Sequence, residues 1–187
     1  MVMDIIARAK ARQTADLMQI IQVLDSFSQT KNYEVKEVAF VSPDIATNDA
    51  VNKLAKDMPT KEKYIYYFTA DKFKDIPELF QSGTENSDIK YTHLNTARKP
   101  TDYPDVLYVG SSNNLAKRFK EHCGMASEKT YAIKFRDWLH DGIRVKFFYF
   151  QLDTNNQVIL QNIEDGLWKL MQPIFGKMGG NVNSLSN

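Results

Sequence analysis

The chain has 187 residues, 43% of them hydrophobic and 25% charged, with 24 Lys plus Arg against 23 Asp plus Glu. A chain of this length buries roughly 70% of its unfolded surface, which suits one domain with an appendage and argues against long disorder. The net charge of +1 excludes a globally basic nucleic-acid binder, so any such function needs a local patch.

One cysteine, Cys123, excludes an intrachain disulfide framework and fits a reducing, cytoplasmic setting. Together with only three histidines, His93, His122 and His140, it leaves no zinc cage of Cys and His. No run of about 18 apolar residues appears, so no membrane span is expected. Asp4, Arg8, Lys10 and Arg12 interrupt the apolar N-terminus, unlike a signal peptide.

Residues 3–27 predict a helix, because Ile5, Ile6, Ala9, Leu17, Ile20, Ile21, Leu24 and Phe27 recur at steps of three and four. That helix either packs on its own domain or serves as a dimer-forming or target-contacting arm, and the sequence does not separate the two. Residues 38–41 form a short strand candidate, and 49–57 a helix that stops before Pro59. Residues 1–60 carry seven basic and eight acidic groups and offer no electrostatic footprint. They are expected to form a mostly helical N-terminal extension.

Tyr64 to Phe68 is a strong strand signal of aromatic and β-branched residues. The stretch 69–104 is polar and punctuated by Pro77, Gly83, Pro100 and Pro104. It is expected to lie beside a cleft and gate it or touch ligand rather than form core. Residues 105–110 predict a second strand. Asn113 and Asn114 then supply caps for a helix over 115–123 that ends at Gly124. A further helix is expected over 127–140, a third strand over 143–152 and a last helix over 157–171, closed by Pro173. The order predicts an α+β domain over 61–187 with a long insert at 69–104.

Three features point to chemistry. The loop from Gly110 through Ser111 and Asn113 opens a helix whose free N–H groups favour an anion. On that helix Arg118 and His122 lie four apart and share a face. On the last helix Glu164 falls within the stripe of Leu160, Ile163, Leu167, Leu170 and Met171, a costly place for a carboxylate unless it is paired, protonated or bound to metal. Between them, residues 113–147 hold eight basic and four acidic groups, enough for a local phosphate-facing surface.

The segment from Leu107 through Tyr108, Val109 and Gly110 to Arg118 and His122 resembles the second half of the GIY-YIG nuclease signature, in which an essential Arg follows the Tyr by ten residues. Tyr64-Ile65-Tyr66 resembles the first motif, with its Gly replaced by Tyr64. Glu164 resembles the family's metal-binding Glu, and Asn181 its C-terminal Asn. The resemblance implies a small antiparallel three-stranded sheet flanked by helices. It implies a divalent-metal-dependent endonuclease that hydrolyses DNA phosphodiesters by a one-metal mechanism, with Mg²⁺ or Mn²⁺ on Glu164. Tyr66 or Tyr108 would orient or deprotonate the attacking water, Arg118 would hold a phosphate oxygen, and His122 would assist as base or phosphate contact. Ser111, Asn113, Lys117, Lys120 and Asn181 are the DNA-contact candidates. A catalytically inactive nucleic-acid- or protein-binding module on the same fold is the alternative.

Overall fold

A computed structural model describes residues 8, 10–12, 14, 15, 18, 21, 22, 33–85, 87–154 and 156–178. The described residues of the N-terminal segment are helical, and of these Met18 and Ile21 are exposed. The rest of the expected helix over 3–27, and with it the dimer reading, lies outside the described residues.

The sheet has four antiparallel strands rather than the expected three. They are β1 (Lys36–Phe40), β2 (Lys63–Ala70), β3 (Val106–Ser112) and β4 (Val145–Leu152), in the order β1-β4-β2-β3. The extra strand comes from the extension judged mostly helical. Its Val38 and Phe40 pair with Phe147 and Val145 of β4, so they continue an apolar face already present. The helices are α1 (Asn48–Leu54), α2 (Ile76–Thr84), α3 (Leu115–Lys120) and α4 (Gln157–Met171).

The period-two alternation of β2 sorts its side chains onto two faces. Tyr64, Tyr66, Phe68 and Ala70 join Phe147 and Tyr149 on the larger face, packed with Phe40, Ile45, Val51, Phe119, Phe135 and Phe175. Ile65 points the other way and meets Leu152 and Leu160, while Val106 and Val109 of β3 meet Met171. Thus α3 and its neighbours cover one face and α4 the other. Leu170, expected in the buried stripe of α4, is 54% exposed.

Two other expectations fail. Residues 127–140 form no α-helix, only a short 3-10 turn at Phe135–Asp137. Lys134 sits at φ +55, and Ala132 bridges Tyr91 in parallel register, so the segment is extended where a helix was expected. The second failure is partial: Tyr91, Thr92 and His93 of the insert do line a cleft, as expected, but the insert also enters the core. Its α2 buries Ile76 and Phe80, and Phe80 packs against Trp138 and Phe175 with ring centroids 5.4 and 4.7 Å away. Pro77 in the first turn of α2 is compatible with a helix start, and Ile76 and Phe80 fall four apart on one face.

Candidate active site

Strand β3 is an edge of the sheet, and the candidate residues converge on it from both faces. Tyr66 and Gly110 are paired across β2 and β3, as are Phe68 and Tyr108. Tyr66 and Tyr108 therefore project from the same face, and their rings stack at 6.0 Å with 17° between planes. The close approach needs a glycine at 110, since a Cβ there would lie 2.6 Å from the Tyr66 hydroxyl and 2.7 Å from Tyr108 Cε1.

Helix α3 supplies the cation. Asn114 caps it by accepting from the Lys117 N–H at 2.9 Å. One turn in, Arg118 reaches back over the two phenols. Its Nε donates to the Tyr66 hydroxyl at 3.1 Å, and its Nη2 to the Tyr108 hydroxyl at 3.4 Å and the Tyr131 carbonyl at 3.2 Å. Glu121, three residues on, pairs with Nη1 at 2.8 Å. Burial works against the guanidinium charge, but the Tyr66 and Tyr108 oxygens and Glu121 outweigh it and raise the Arg118 pKa.

Past Lys120 the helix widens into a π-turn over Glu121–Met125, closed by Gly124 at φ +109. This turn drives His122 into the core, where it is 0% exposed. Its Nδ1 accepts from the Ile133 N–H at 3.2 Å, and its Nε2 lies 3.1 Å from the Tyr66 hydroxyl. Burial and the Arg118 charge hold His122 well below its ordinary pKa, so the ring is neutral. With Nδ1 accepting, the single ring proton sits on Nε2 and is donated to Tyr66. The expected role of His122 as base or phosphate contact is therefore corrected. Fully buried, it meets the Tyr66 hydroxyl and the Ile133 N–H and not the cleft.

Tyr66 is itself 1% exposed. Burial, then the neighbouring Tyr108, push its pKa well up, with Arg118 opposing, so it is a neutral phenol. Its oxygen takes bonds from both Arg118 and His122. Tyr108 is only partly buried and lines an open cleft of about 480 Å³ together with Arg118. Of the two phenols, Tyr108 is the one that meets that cleft.

Glu164 comes from α4, on the other face. Its Oε2 accepts from the Ser111 hydroxyl at 2.5 Å. Burial raises the Glu164 pKa, Asp165 adds to this, and the Ser111 bond and the Arg118 charge oppose it. Its other carboxylate oxygen has no protein donor among the described residues. A half-buried carboxylate with one oxygen anchored and one open is a fit for a hard divalent cation, which needs only one or two carboxylates besides water and phosphate. Among the described residues no three or more His, Cys, Asp or Glu side chains are grouped so that they could hold a metal ion by themselves.

Ser111 is thus tied to Glu164 rather than turned outward to DNA. Asn113 is exposed but accepts from Lys63 Nζ at 3.3 Å. Lys117 is free to swing, with a 73% exposed side chain and a 3.9 Å contact to Glu121. Lys117 and Lys120 line a separate groove beside α3. Asn181 lies outside the described residues. Sequence reasoning missed Glu121, whose i+3 spacing from Arg118 was a usable signal, and Tyr131, for which no signal existed.

An arginine, two phenols and a carboxylate thus converge at one edge strand of the sheet. Residues 104–176 match the GIY-YIG catalytic domain, a match that supports the GIY-YIG nuclease superfamily for that segment. The match opens just before β3 and closes just after α4, so it holds Tyr108, Arg118, His122 and Glu164, whereas Tyr66 lies before it. No curated protein matches the chain. No solved structure matches it either. Among the described residues no helix is long and apolar enough to cross a membrane.

Proposed function

We propose that this protein is a divalent-metal-dependent DNA endonuclease whose site is Tyr108, Arg118 and Glu164, backed by Tyr66 and His122. The observation that carries this reading is one guanidinium held on two phenol oxygens in the wall of a cleft. Arg118 is fixed before substrate arrives, so it offers its charge to a phosphate without reorganising, which is how electrostatic catalysis gains its effect. Tyr66, Tyr108, Tyr131 and Glu121 hold four of its five N–H groups, and the remaining Nη1 N–H is the one left for a phosphate oxygen.

Glu164 would hold Mg²⁺ or Mn²⁺, which supplies Lewis acidity toward the phosphate and a more acidic bound water. Tyr108 orients the attacking water through its phenol oxygen, since it faces the cleft and Tyr66 does not. Tyr66 and His122 keep Arg118 in place. Attack of that water on phosphorus would form the new P–O bond and break the bond to the 3′ oxygen. The water's proton would pass by the Tyr108 oxygen to solvent, the 3′ oxygen would take a proton from solvent, and Arg118 would offset the charge that gathers on the phosphate. Lys117 and Lys120 are backbone contacts, which position DNA without reading its sequence.

The test is cleavage of supercoiled plasmid and of branched DNA with Mg²⁺ and with EDTA. Cleavage that needs Mg²⁺ and is lost in Glu164→Gln supports the reading. Binding without cleavage in any metal would leave a non-catalytic module.

A further inference from the structure

The cleft beside Arg118 contains aromatic surface that the hydrolysis above does not use. Its wall carries Tyr91, His93 and Tyr131 besides Tyr108, with Arg118 and Lys177 as its charges and no acidic side chain. Tyr131 is 62% exposed, so its ring face is open to a ligand in the cleft. The backbone beneath it is held on both sides. Its carbonyl accepts from Arg118 at 3.2 Å, and the next residue, Ala132, bridges Tyr91 and accepts from the Thr92 N–H at 2.9 Å. Lys134, 2% exposed, ties the same loop by donating from Nζ to the Ser127 and Glu128 carbonyls at 3.0 and 3.3 Å. Lys90 Nζ lies 5.4 Å from the Tyr131 ring centroid. The Tyr131 hydroxyl has no protein partner among the described residues.

A ring displayed on a fixed backbone, one residue's reach from a phosphate-binding guanidinium and flanked by cations, has what base stacking requires. Every nucleobase offers a π-face, and the backbone follows the positive charge. In an intact duplex each base already has neighbours on both faces, so the ring can be used only by a base that is unpaired or turned out. We propose that this cleft receives an unpaired nucleobase, stacked on Tyr131, next to the phosphate on Arg118, and hence that the preferred substrate is DNA with unpaired nucleotides at the cut, such as a flap, gap or bulge. The placement of the phosphate rests on the nuclease reading above.

A flapped duplex with 2-aminopurine at its first unpaired position tests this in EDTA, where no cleavage occurs. Wild type and Tyr131→Phe should bind and quench the probe. Tyr131→Ala should lose the quench and bind the flap roughly tenfold more weakly, in line with the loss of one base–aromatic stack. Binding of the fully paired duplex should be equal in all three. Retained quenching in Tyr131→Ala, or equal weakening on flap and duplex, overturns the proposal. Mg²⁺-dependent cleavage of the same flap is scored separately. Quenching without cleavage sinks the nuclease reading and leaves the base site. Cleavage with no dependence on Tyr131 does the reverse.

Discussion

Arg118 Nε and His122 Nε2 both lie 3.1 Å from one atom, the Tyr66 hydroxyl oxygen. Neither nitrogen can accept a proton in the state described, so the phenol is clamped as an acceptor between two donors. The clamp fixes the guanidinium as much as the phenol, because Arg118 has its fork spread over Tyr66, Tyr108 and Glu121.

Arg118→Lys should therefore lower kcat by ~10²–10³-fold, the usual cost of removing a preorganised oxyanion donor. A lysine keeps the charge but cannot bond Tyr66, Tyr108 and a phosphate together. Single-turnover cleavage with Mg²⁺ measures this. A variant that cuts at the wild-type rate would make Arg118 a packing residue.

Glu164→Gln should abolish cleavage yet raise thermal stability at pH 7. Burial lifts the Glu164 pKa above its unfolded value, with Ser111 and Arg118 opposing. A carboxyl with a raised folded pKa costs nothing while both states are protonated. The cost grows as pH climbs from the unfolded pKa to the folded one and persists above it. The stabilisation by Gln should then shrink as the pH is lowered toward 4, in melts followed by circular dichroism. Wild type, but not Glu164→Gln, should also gain stability from added Mg²⁺.

His122 gives the opposite pH signature. Its folded pKa is held well below the ordinary value by burial and Arg118. The unfolded chain therefore takes up a proton that the folded chain refuses, and stability falls as pH drops through the unfolded value of about 6.5. His122→Gln should cost about 1–3 kcal/mol by leaving the Ile133 N–H or the Tyr66 hydroxyl poorly paired. It should also flatten the loss of stability between pH 7.5 and 5.5. Urea titrations at the two pH values measure both, and an unchanged slope would mean that other groups control it.

Much of the site was legible because its signals are local. Tyr108, Gly110 and Arg118 lie on a continuous strand–loop–helix segment, and Glu164 betrays itself as a carboxylate in an apolar stripe. What was not legible depends on contacts far apart in sequence. The burial of His122 follows from a π-turn that no periodicity announces. Strand β1 belongs to the sheet only because β4 offers it an edge 105 or more residues later. Residues 127–140 carry a helix-like pattern, but Tyr91 and Thr92 of the insert claim Ala132 as an extended partner. Polarity and Pro/Gly punctuation made 69–104 look like a surface loop, and they say nothing of Ile76 and Phe80, four apart on one helix face.

Replacing residues 83–98 by a short Gly-Ser linker should therefore unfold the domain or lower its melting temperature by about 10 °C or more, as expected from losing several kcal/mol in a chain of this size. A Cβ at Gly83 would already sit 2.5 Å from Trp138 Cβ, so α2 closes directly on the core there. The deletion removes Tyr91, whose hydroxyl donates to Asp137 at 2.9 Å, and buried Thr92. It also removes Leu94, which bridges Phe175. Arg98 goes too, and it is the clasp of the segment. It donates to the carbonyls of Gln172, Pro104 and Tyr103 and lies 4.6 Å over the Phe73 ring. Arg98→Met isolates that clasp, keeping the stem and removing the three bonds. It should melt below wild type and leave the cleft residues in place, so that its activity at 20 °C stays close to normal. A deletion that melts within a degree or two of wild type would return the insert to the surface and leave Tyr91, Thr92 and His93 as mere lining of the cleft.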